Sequence, residues 1–434
     1  MLMVAKFGGS SLANAAQFSK VKKIVESNPF RKVIVVSAVG KENPNDNKIT
    51  DLLYLLSAHI RYKVDGTHLW DEVFERYQNI KEALNLKLDI KKEIEIIKQN
   101  LKLKYDENYL VSRGEYLSAK LVSEYLGYEF IDAKDLFVFD YHGKIDHLKT
   151  DININLNIKP DMKVVVPGFY GANPDGSIKL FSRGGSDVTG AILARGLHAS
   201  KYENWTDVNG LLMVDPKIIN NPKQILELNY DELRELSYMG ASIIHEETLF
   251  PIIDANIPLH ILNTNNMSDL GTIICNDASN NEQIVTGITG KKNYTSLTIT
   301  KQKETHKLAV IHSVLSILKK YQIEVEHLPT SIDSFSIVFE NDNNAKLFEI
   351  ISEIKALEDV INVSVDNDIA LVAVVGRNMV TKVGISGKIF GILGEANINI
   401  KMIAQGALEL TIIIGVDNNN FERTIKELYF NLVK

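Results

Sequence analysis

Only one cysteine, Cys275, occurs in the 434 residues of this chain. That excludes a disulfide framework within the chain, and a cysteine-rich metal site with it. No apolar run approaches the length of a membrane span, and Met1-Leu2-Met3-Val4-Ala5 is too short for a signal peptide before the chain reaches Lys6. Positive charge is also in deficit. The 48 Lys and Arg residues stand against 55 Asp and Glu, and the net charge of −7 argues against a general nucleic-acid binder. A cytoplasmic protein is expected, with neither nucleic acid nor membrane among its partners. The hydrophobic content of 45% is ordinary for a globular chain of roughly two or three domains.

What the chain does have begins at its N-terminus. Val4-Ala5-Lys6-Phe7-Gly8-Gly9-Ser10-Ser11 reads as a short strand, a lysine, two glycines and two hydroxyls, with a helix from about Asn14. Glycines at such a turn let backbone N–H groups approach an anion, and the lysine adds a compact positive charge. That suits phosphates, although a lysine before a glycine turn is also common punctuation. Near-continuous apolar runs at Val33–Val36, Val164–Val166 and Pro258–Leu262 read as parallel strands buried on both faces. Helical segments at about Asp187–Leu197 and Ala241–Asp254 alternate with them, so an α/β fold with a mainly parallel sheet is expected up to about residue 290. Ligands of such sheets bind beyond the carboxyl ends of the strands. The stretch from His68 to Lys104 reads as mainly helical, with Ile90, Ile94, Ile97 and Leu101 forming a packing stripe.

The C-terminal part carries an internal repeat. Ile323–Leu328 resembles Ile398–Ile403 at an offset of 75 residues, and Phe335, Ile337 and Phe339 match Leu410, Ile412 and Ile414. Each copy follows a helix, at about Ile311–Tyr321 and Gly387–Ala396, so two βαββαβ units in tandem are the simplest expectation. Gly384 precedes the helix of the second copy, whereas the first copy has Ala309 near that place.

Further clusters punctuate the first part. Ser182-Arg183-Gly184-Gly185-Ser186-Asp187 opens a helix. Ser186 or Asp187 serves as its cap, or Arg183 sets a carboxylate-binding fork beside a backbone nest. Ser112-Arg113-Gly114-Glu115 is read as another helix opening, where Glu115 either complements the helix dipole or accepts a substrate ammonium. Asn204-Trp205-Thr206-Asp207-Val208-Asn209-Gly210 contains a strong turn signal and runs on to Asp215-Pro216-Lys217. The polar loop Gly40–Lys48 is either an ordinary exposed loop or a mobile lid. His245 has no other histidine at metal-ligand spacing and is read as structural.

Taken in order, Lys-Phe-Gly-Gly-Ser-Ser, Val36-Ser37-Ala38, Ser-Arg-Gly-Glu, Phe181–Asp187 and Trp205-Thr206-Asp207-Val208 closely resemble the aspartate kinases of the amino-acid kinase family. The resemblance spans essentially the whole chain. Those enzymes end in two ACT domains, which the repeat matches, and Asn399–Gly406 with Glu409-Leu410 looks like the second of them. Within this sequence no dehydrogenase domain follows, so the resemblance leads one to expect the monofunctional type. The resemblance implies a kinase domain at 1–290 and α+β ACT domains at 291–366 and 367–434. It implies phosphorylation of L-aspartate by ATP, with Mg²⁺ carried on the phosphates and no metal bound by the protein itself. The product enters lysine, threonine and methionine synthesis.

Carried over residue by residue, Lys6 stabilises the transferring phosphoryl group and Asp187 organises Lys6. Gly8, Gly9 and Ser10 supply donors to the nucleotide. Arg183 clamps a substrate carboxylate, Glu115 receives the α-ammonium, and Ser37, Thr50 and Ser186 add contacts. Thr206, Asp207, Asp215 and Lys217 belong to the nucleotide segment. Two departures lie there: Ser242 stands where relatives often carry a lysine, and Leu212 where they often carry an aromatic. Lysine or threonine is the expected feedback effector, placed by analogy near Glu326 and Ser331. A homodimer or dimer of dimers through paired ACT edges is expected. The alternatives are a related kinase of glutamate, acetylglutamate, carbamate or UMP, and a catalytically silent amino-acid sensor. Acceptor-dependent ATP consumption separates the first, and acyl-phosphate trapping separates the second.

Overall fold

The computed structural model describes residues 1–182, 184–240, 246–278, 283–341 and 344–433. The chain divides into two compact units: Met1–Leu211 with Leu226–Tyr230 and Ile243–Ala278, and Leu212–Ile225 with Asp231–Ser242 and Ser279–Lys434.

Among the described residues the first unit is built on an eight-stranded sheet. Its strands are β1 (Met3–Phe7), β2 (Arg31–Val36), β3 (Glu129–Phe130), β4 (Val164–Pro167), β5 (Lys201–Thr206), β6 (Glu227–Leu228), β7 (Leu259–Asn263) and β8 (Thr272–Ile274). The spatial order is β6-β8-β7-β5-β1-β2-β4-β3, and each pairing is parallel except β7 with β8. The apolar runs explain this. Val33, Ile34, Val35, Val36, Val164, Val165 and Val166 are all fully buried, as strands covered on both faces must be. The covering helices include α1 (Ala15–Glu26), α2 (Ile49–Tyr62), α5 (Glu107–Leu126) and α7 (Gly185–Gly196).

Asn14 caps α1 by accepting from the Gln17 N–H at 3.1 Å, which places the helix start where the glycine turn suggested it. The helical stretch after residue 67 is two helices, α3 (Thr67–Ala83) and α4 (Ile90–Leu103), and the stripe Ile90, Ile94, Ile97 and Leu101 is buried. The second helix expected around Ala241–Asp254 is described as α9 (Glu246–Asp254).

The Ser112–Glu115 cluster does not open a helix. Helix α5 starts at Glu107, capped by Asp106, and ends at Gly127 with φ +68°, so the cluster lies well inside it. Gly114 is there for close approach, because a Cβ would sit 2.9 Å from the Ala38 Cβ. Glu115 is therefore a buried mid-helix carboxyl rather than a dipole partner at a helix start.

Gly190 on α7 has a comparable role against Tyr202 of β5, whose ring a Cβ would meet at 2.6 Å. Overpacking of this kind costs about 1–3 kcal/mol. Gly190→Ala is expected to lower the urea midpoint accordingly. It should also lower kcat, because the displaced Tyr202 hydroxyl donates to the Asp187 carbonyl at 3.0 Å.

The second unit carries a five-stranded antiparallel sheet of β9 (Gly287–Lys301), β10 (Ser334–Glu340), β11 (Val360–Val375), β12 (Met402–Gln405) and β13 (Thr411–Asp417), in the order β10-β9-β11-β13-β12. The repeat is visible in it, with Phe335, Ile337 and Phe339 buried on β10 and Ile412 and Ile414 buried on β13. Its copies are nested rather than consecutive. Residues 294–300 of β9 pair with β10, while Gly287–Lys291 pair with Leu371–Val375, so the second copy is completed by a segment that precedes the first. The divisions expected at 290/291 and 366/367 thus fall inside the continuous strands β9 and β11. The repeat signal is local and carries no trace of which distant strand closes each sheet. Gly384 enters its helix, α12 (Ile385–Glu395), at φ +86°. The helix of the first copy, α10 (Lys307–Lys320), is entered through His306 at φ −66°, so no glycine is needed there.

Candidate active site

Strands β5, β1, β2 and β4 are neighbours, and the chain just beyond their carboxyl ends meets at one cavity of about 740 Å³. Gly9 and Ser10 follow β1, Ser37 to Gly40 follow β2, Phe169 follows β4 and Asp207 follows β5, and all of them line it. Lys6, Thr50, Glu115 and Gly184 to Asp187 complete most of the wall.

Lys6 is only 8% exposed, and its Nζ lies 2.6 Å from Asp187 Oδ1. Asn204 joins the two: its Nδ2 donates to Asp187 Oδ1 at 2.9 Å, and its Oδ1 accepts from Lys6 Nζ at 3.5 Å. The parallel register pairs Lys6 with Asn204 directly, which is why the two side chains meet. Asp187 sits in the first turn of α7, reached through Gly184 at φ +73°, a conformation that favours glycine. The Asp187 N–H is taken by Gly184 O at 2.8 Å, so its carboxylate is left for Lys6 and Asn204. Two glycine turns, a buried ammonium and a fixed carboxylate make a site suited to neutralising a phosphoryl group.

Glu115 is 4% exposed, and its Oε2 is buried without a hydrogen-bond partner. Burial pushes its carboxyl up to about 8, against the lowering influence of the Ala38 backbone N–H and of Arg113. A buried carboxyl with an open lone pair on a polar cavity is a receptor for a cation. Arg113 itself is stacked over the rings of Tyr109 and Tyr116 at 4.4 Å and of Tyr170 at 5.3 Å.

Of the residues singled out from the sequence, Lys6, Gly9, Ser10, Ser37, Thr50, Glu115, Ser186, Asp187 and Asp207 share this cavity. Gly8 does not line it. Its N–H donates to Trp205 O at 3.1 Å, so it ties β1 to β5 instead of serving as an anion donor. Thr206 ends β5, and its hydroxyl donates to Asp207 Oδ1 at 3.1 Å. Leu212, Asp215 and Lys217 belong to the second unit and are not part of this lining. Arg183, Ser242 and His245 lie outside the described residues.

Glu326 and Ser331 lie in the second unit. The Tyr238 hydroxyl donates to the Glu326 carboxylate, and the Ser331 N–H donates to Ser334 O at 2.8 Å. Among the described residues, no group of three or more His, Cys, Asp or Glu side chains is arranged to hold a metal ion, and no helix is long and apolar enough to cross a membrane.

Two contributors were given no role from sequence, Asn204 having been read only as part of the turn cluster. Asn204 had a usable signal, a polar residue on a buried parallel strand two positions before Thr206. Phe169 had none. It lines the cavity with φ +79°, costly for an aromatic residue, and a Cβ on Gly185 would come within 2.6 Å of its ring.

Comparison with known proteins agrees with this geometry. Residues 1–263 match the amino acid kinase family and residues 372–432 match an ACT domain. Aspartokinase 3 of Bacillus subtilis is 38% identical over 448 residues, covering 99% of this chain and 98% of that one. The crystal structure of Clostridium acetobutylicum aspartate kinase superposes with a TM-score of 0.94 at 43% identity, over 99% of this chain and 100% of that one. Escherichia coli aspartokinase III, 26% identical, matches over the full length of both chains in two crystal structures. The TM-score is 0.76 for its complex with aspartate and ADP (R-state) and 0.78 for its complex with lysine and aspartate (T-state). The Lys6–Asp187 cavity thus sits in a chain alike from end to end to these enzymes, and the chain belongs to the amino acid kinase family, among its aspartokinases.

Proposed function

We propose that the cavity holds L-aspartate and ATP together and transfers the γ-phosphoryl group to the β-carboxylate, giving ADP and 4-phospho-L-aspartate. The observation that carries this is the pairing, in one cavity, of the Lys6–Asp187–Asn204 cluster with the buried, half-unpartnered Glu115. The nucleophile is ionised at neutral pH, so no protein base is required. A bond forms from a carboxylate oxygen to phosphorus, the bond from phosphorus to the bridging oxygen breaks, and ADP departs. Two anions must be brought together, so positioning and charge neutralisation do the catalysis.

Lys6 meets the transferring group, Asp187 and Asn204 hold Lys6, and Gly9 and Ser10 offer backbone donors. Glu115 takes the α-ammonium, Arg183 clamps a carboxylate, and Ser37, Thr50 and Ser186 complete the acceptor site. Thr206 and Asp207, continuing through Leu212, Asp215, Lys217 and Ser242, form the nucleotide segment. Mg²⁺ enters on the ATP phosphates, the usual way for this ion. A cytoplasmic location belongs to this reading.

The kinase part is assigned to about 1–290 and the ACT parts to about 291–366 and 367–434, with the 287–291 segment of β9 completing the sheet of the second ACT part. Lysine, which is bound in one structure of the E. coli relative, or threonine acts as the end-product effector in the first ACT part, near Glu326 and Ser331. Strands β10 and β12, the two edges of the second sheet, offer surfaces for a homodimer or dimer of dimers.

ADP release is to be measured with aspartate, glutamate, acetylglutamate, carbamate and UMP as acceptors, with hydroxylamine trapping of the acyl phosphate. Turnover with aspartate is expected to dominate, and its absence overturns the assignment. In the same assay, added lysine or threonine is expected to inhibit. Unchanged rates with both together count against the effector role.

A further inference from the structure

The segment Gly40–Lys48 forms a large part of the cavity wall, through Gly40, Lys41, Glu42, Asn43, Pro44 and Lys48, and none of the roles assigned above accounts for how it is held. We propose that Arg76 is a positioning residue for phosphoryl transfer, tying this segment and the Gly9 turn behind it to helix α3. The proposal rests on the reading of the Lys6–Asp187 cavity as the reaction centre.

Arg76 reaches the segment at both ends. Its Nη2 donates to the Gly40 carbonyl, and its Nη1 lies 3.7 Å from Asp46 Oδ2. The Arg76 side chain is 14% exposed and the Asp46 side chain 26%, so the tie is partly shielded from water. Asp46 in turn closes the segment on itself, accepting from the Glu42 N–H at 3.0 Å and the Asn43 N–H at 2.8 Å. Asn14, the cap of α1, donates from Nδ2 to Glu42 Oε1 at 3.1 Å.

The link to the reaction runs through Gly40. Its N–H donates to Gly9 O at 3.0 Å, and a Cβ placed on it would fall 2.4 Å from the Gly9 carbonyl. The two backbones therefore lie directly against each other, and Arg76 is one hydrogen bond removed from the turn that faces the transferring group. Displacement of a reacting group by about 1 Å can cost about 10²-fold in rate. A planar guanidinium can serve a carbonyl and a carboxylate at once, which a single ammonium does poorly.

The test compares Arg76→Met, Arg76→Lys and Asp46→Asn with the parent enzyme, with Lys6→Met alongside. Steady-state kinetics, thermal midpoints and tryptic cleavage at Lys41 and Lys48 are the readouts. Arg76→Met is expected to raise the aspartate KM and lower kcat by about tenfold each, with faster cleavage in the segment and a thermal midpoint close to the parent's. Arg76→Lys should recover part of the kinetic loss, and Asp46→Asn should raise the aspartate KM by a factor of about three. Folded Arg76→Met with parental kinetics overturns the proposal. If that variant does not fold, parental kinetics in both Arg76→Lys and Asp46→Asn overturn it. A kcat within tenfold of the parent's in Lys6→Met would instead overturn the reading of the cavity itself.

Discussion

Replacing Lys6 by methionine is expected to lower kcat for aspartate phosphorylation by about 10³-fold, the scale on which a single cation stabilises phosphoryl transfer. Methionine keeps most of the buried stem and removes only the charge. Asp187 then loses its cation but keeps the Asn204 Nδ2 donor at 2.9 Å, so the site is not left wholly unpaired. Breaking a shielded ion pair costs about 3–5 kcal/mol where the remaining charge has no other partner. The Asn204 bond and the adjoining cavity should keep the measured loss below that.

Asp187→Asn tests the other half. It leaves Lys6 charged but without its 2.6 Å anchor, and kcat should fall by about 10²-fold while the ATP KM moves little. Rapid-quench measurement of phosphoryl transfer distinguishes this from slowed product release. A Lys6→Met enzyme within tenfold of the parent kcat would remove Lys6 from the mechanism.

The second large effect concerns Glu115. With its carboxyl pushed up to about 8, the free enzyme at pH 6.5 carries this group mostly protonated, and only the ionised form pairs with a substrate ammonium. The aspartate KM should therefore fall by about tenfold per pH unit as pH rises toward 8 and level off above it, as linkage to one proton requires. Glu115→Gln should raise KM by about 10²-fold or more at pH 8 and abolish the pH dependence, because a charge-paired contact in a desolvated site is lost. A parent KM that is flat across this range would refute the assignment.

Stability moves in the opposite direction. The folded carboxyl holds its proton up to about 8 and the unfolded one only to about 4.5. Its stabilising contribution is complete below pH 4.5 and is lost as pH rises through 8. Glu115→Gln should therefore unfold at a higher temperature than the parent at pH 8, and at a similar one at pH 4.5. Gain of stability with loss of affinity is the signature of a binding carboxyl kept buried at a cost.

The apolar runs at Val33–Val36 and Val164–Val166 were legible as parallel strands because burial on both faces leaves no other composition open to them. The glycine turns after β1 and before α7 were legible for the same kind of reason: both the phosphate approach and the φ of +73° at Gly184 favour glycine. The Ser112–Glu115 cluster misled. A hydroxyl followed by a glycine and a glutamate looks like a helix start, and only the packing of Gly114 against Ala38 shows that the glycine serves a close contact. Gly8 misled likewise, since local sequence cannot tell which of two glycine N–H groups a neighbouring strand will take. The nested repeat was hidden because antiparallel pairing between residues 287–291 and 371–375 leaves no mark on the intervening sequence.

Chemistry tied to residue type and to near neighbours in the chain was therefore present in the sequence alone: Lys6 at its glycine turn, Asp187 at the head of its helix, and the repeat at its 75-residue offset. Contacts between distant segments were decided only on folding. Strand register brings Asn204 beside Lys6, helix α5 sinks Glu115 into a site where its proton is held to about 8, and Arg76 reaches across to Gly40 and Asp46. The physical reason is that these depend on distance and desolvation across the fold, and neither is encoded by the identity of a residue's neighbours in sequence.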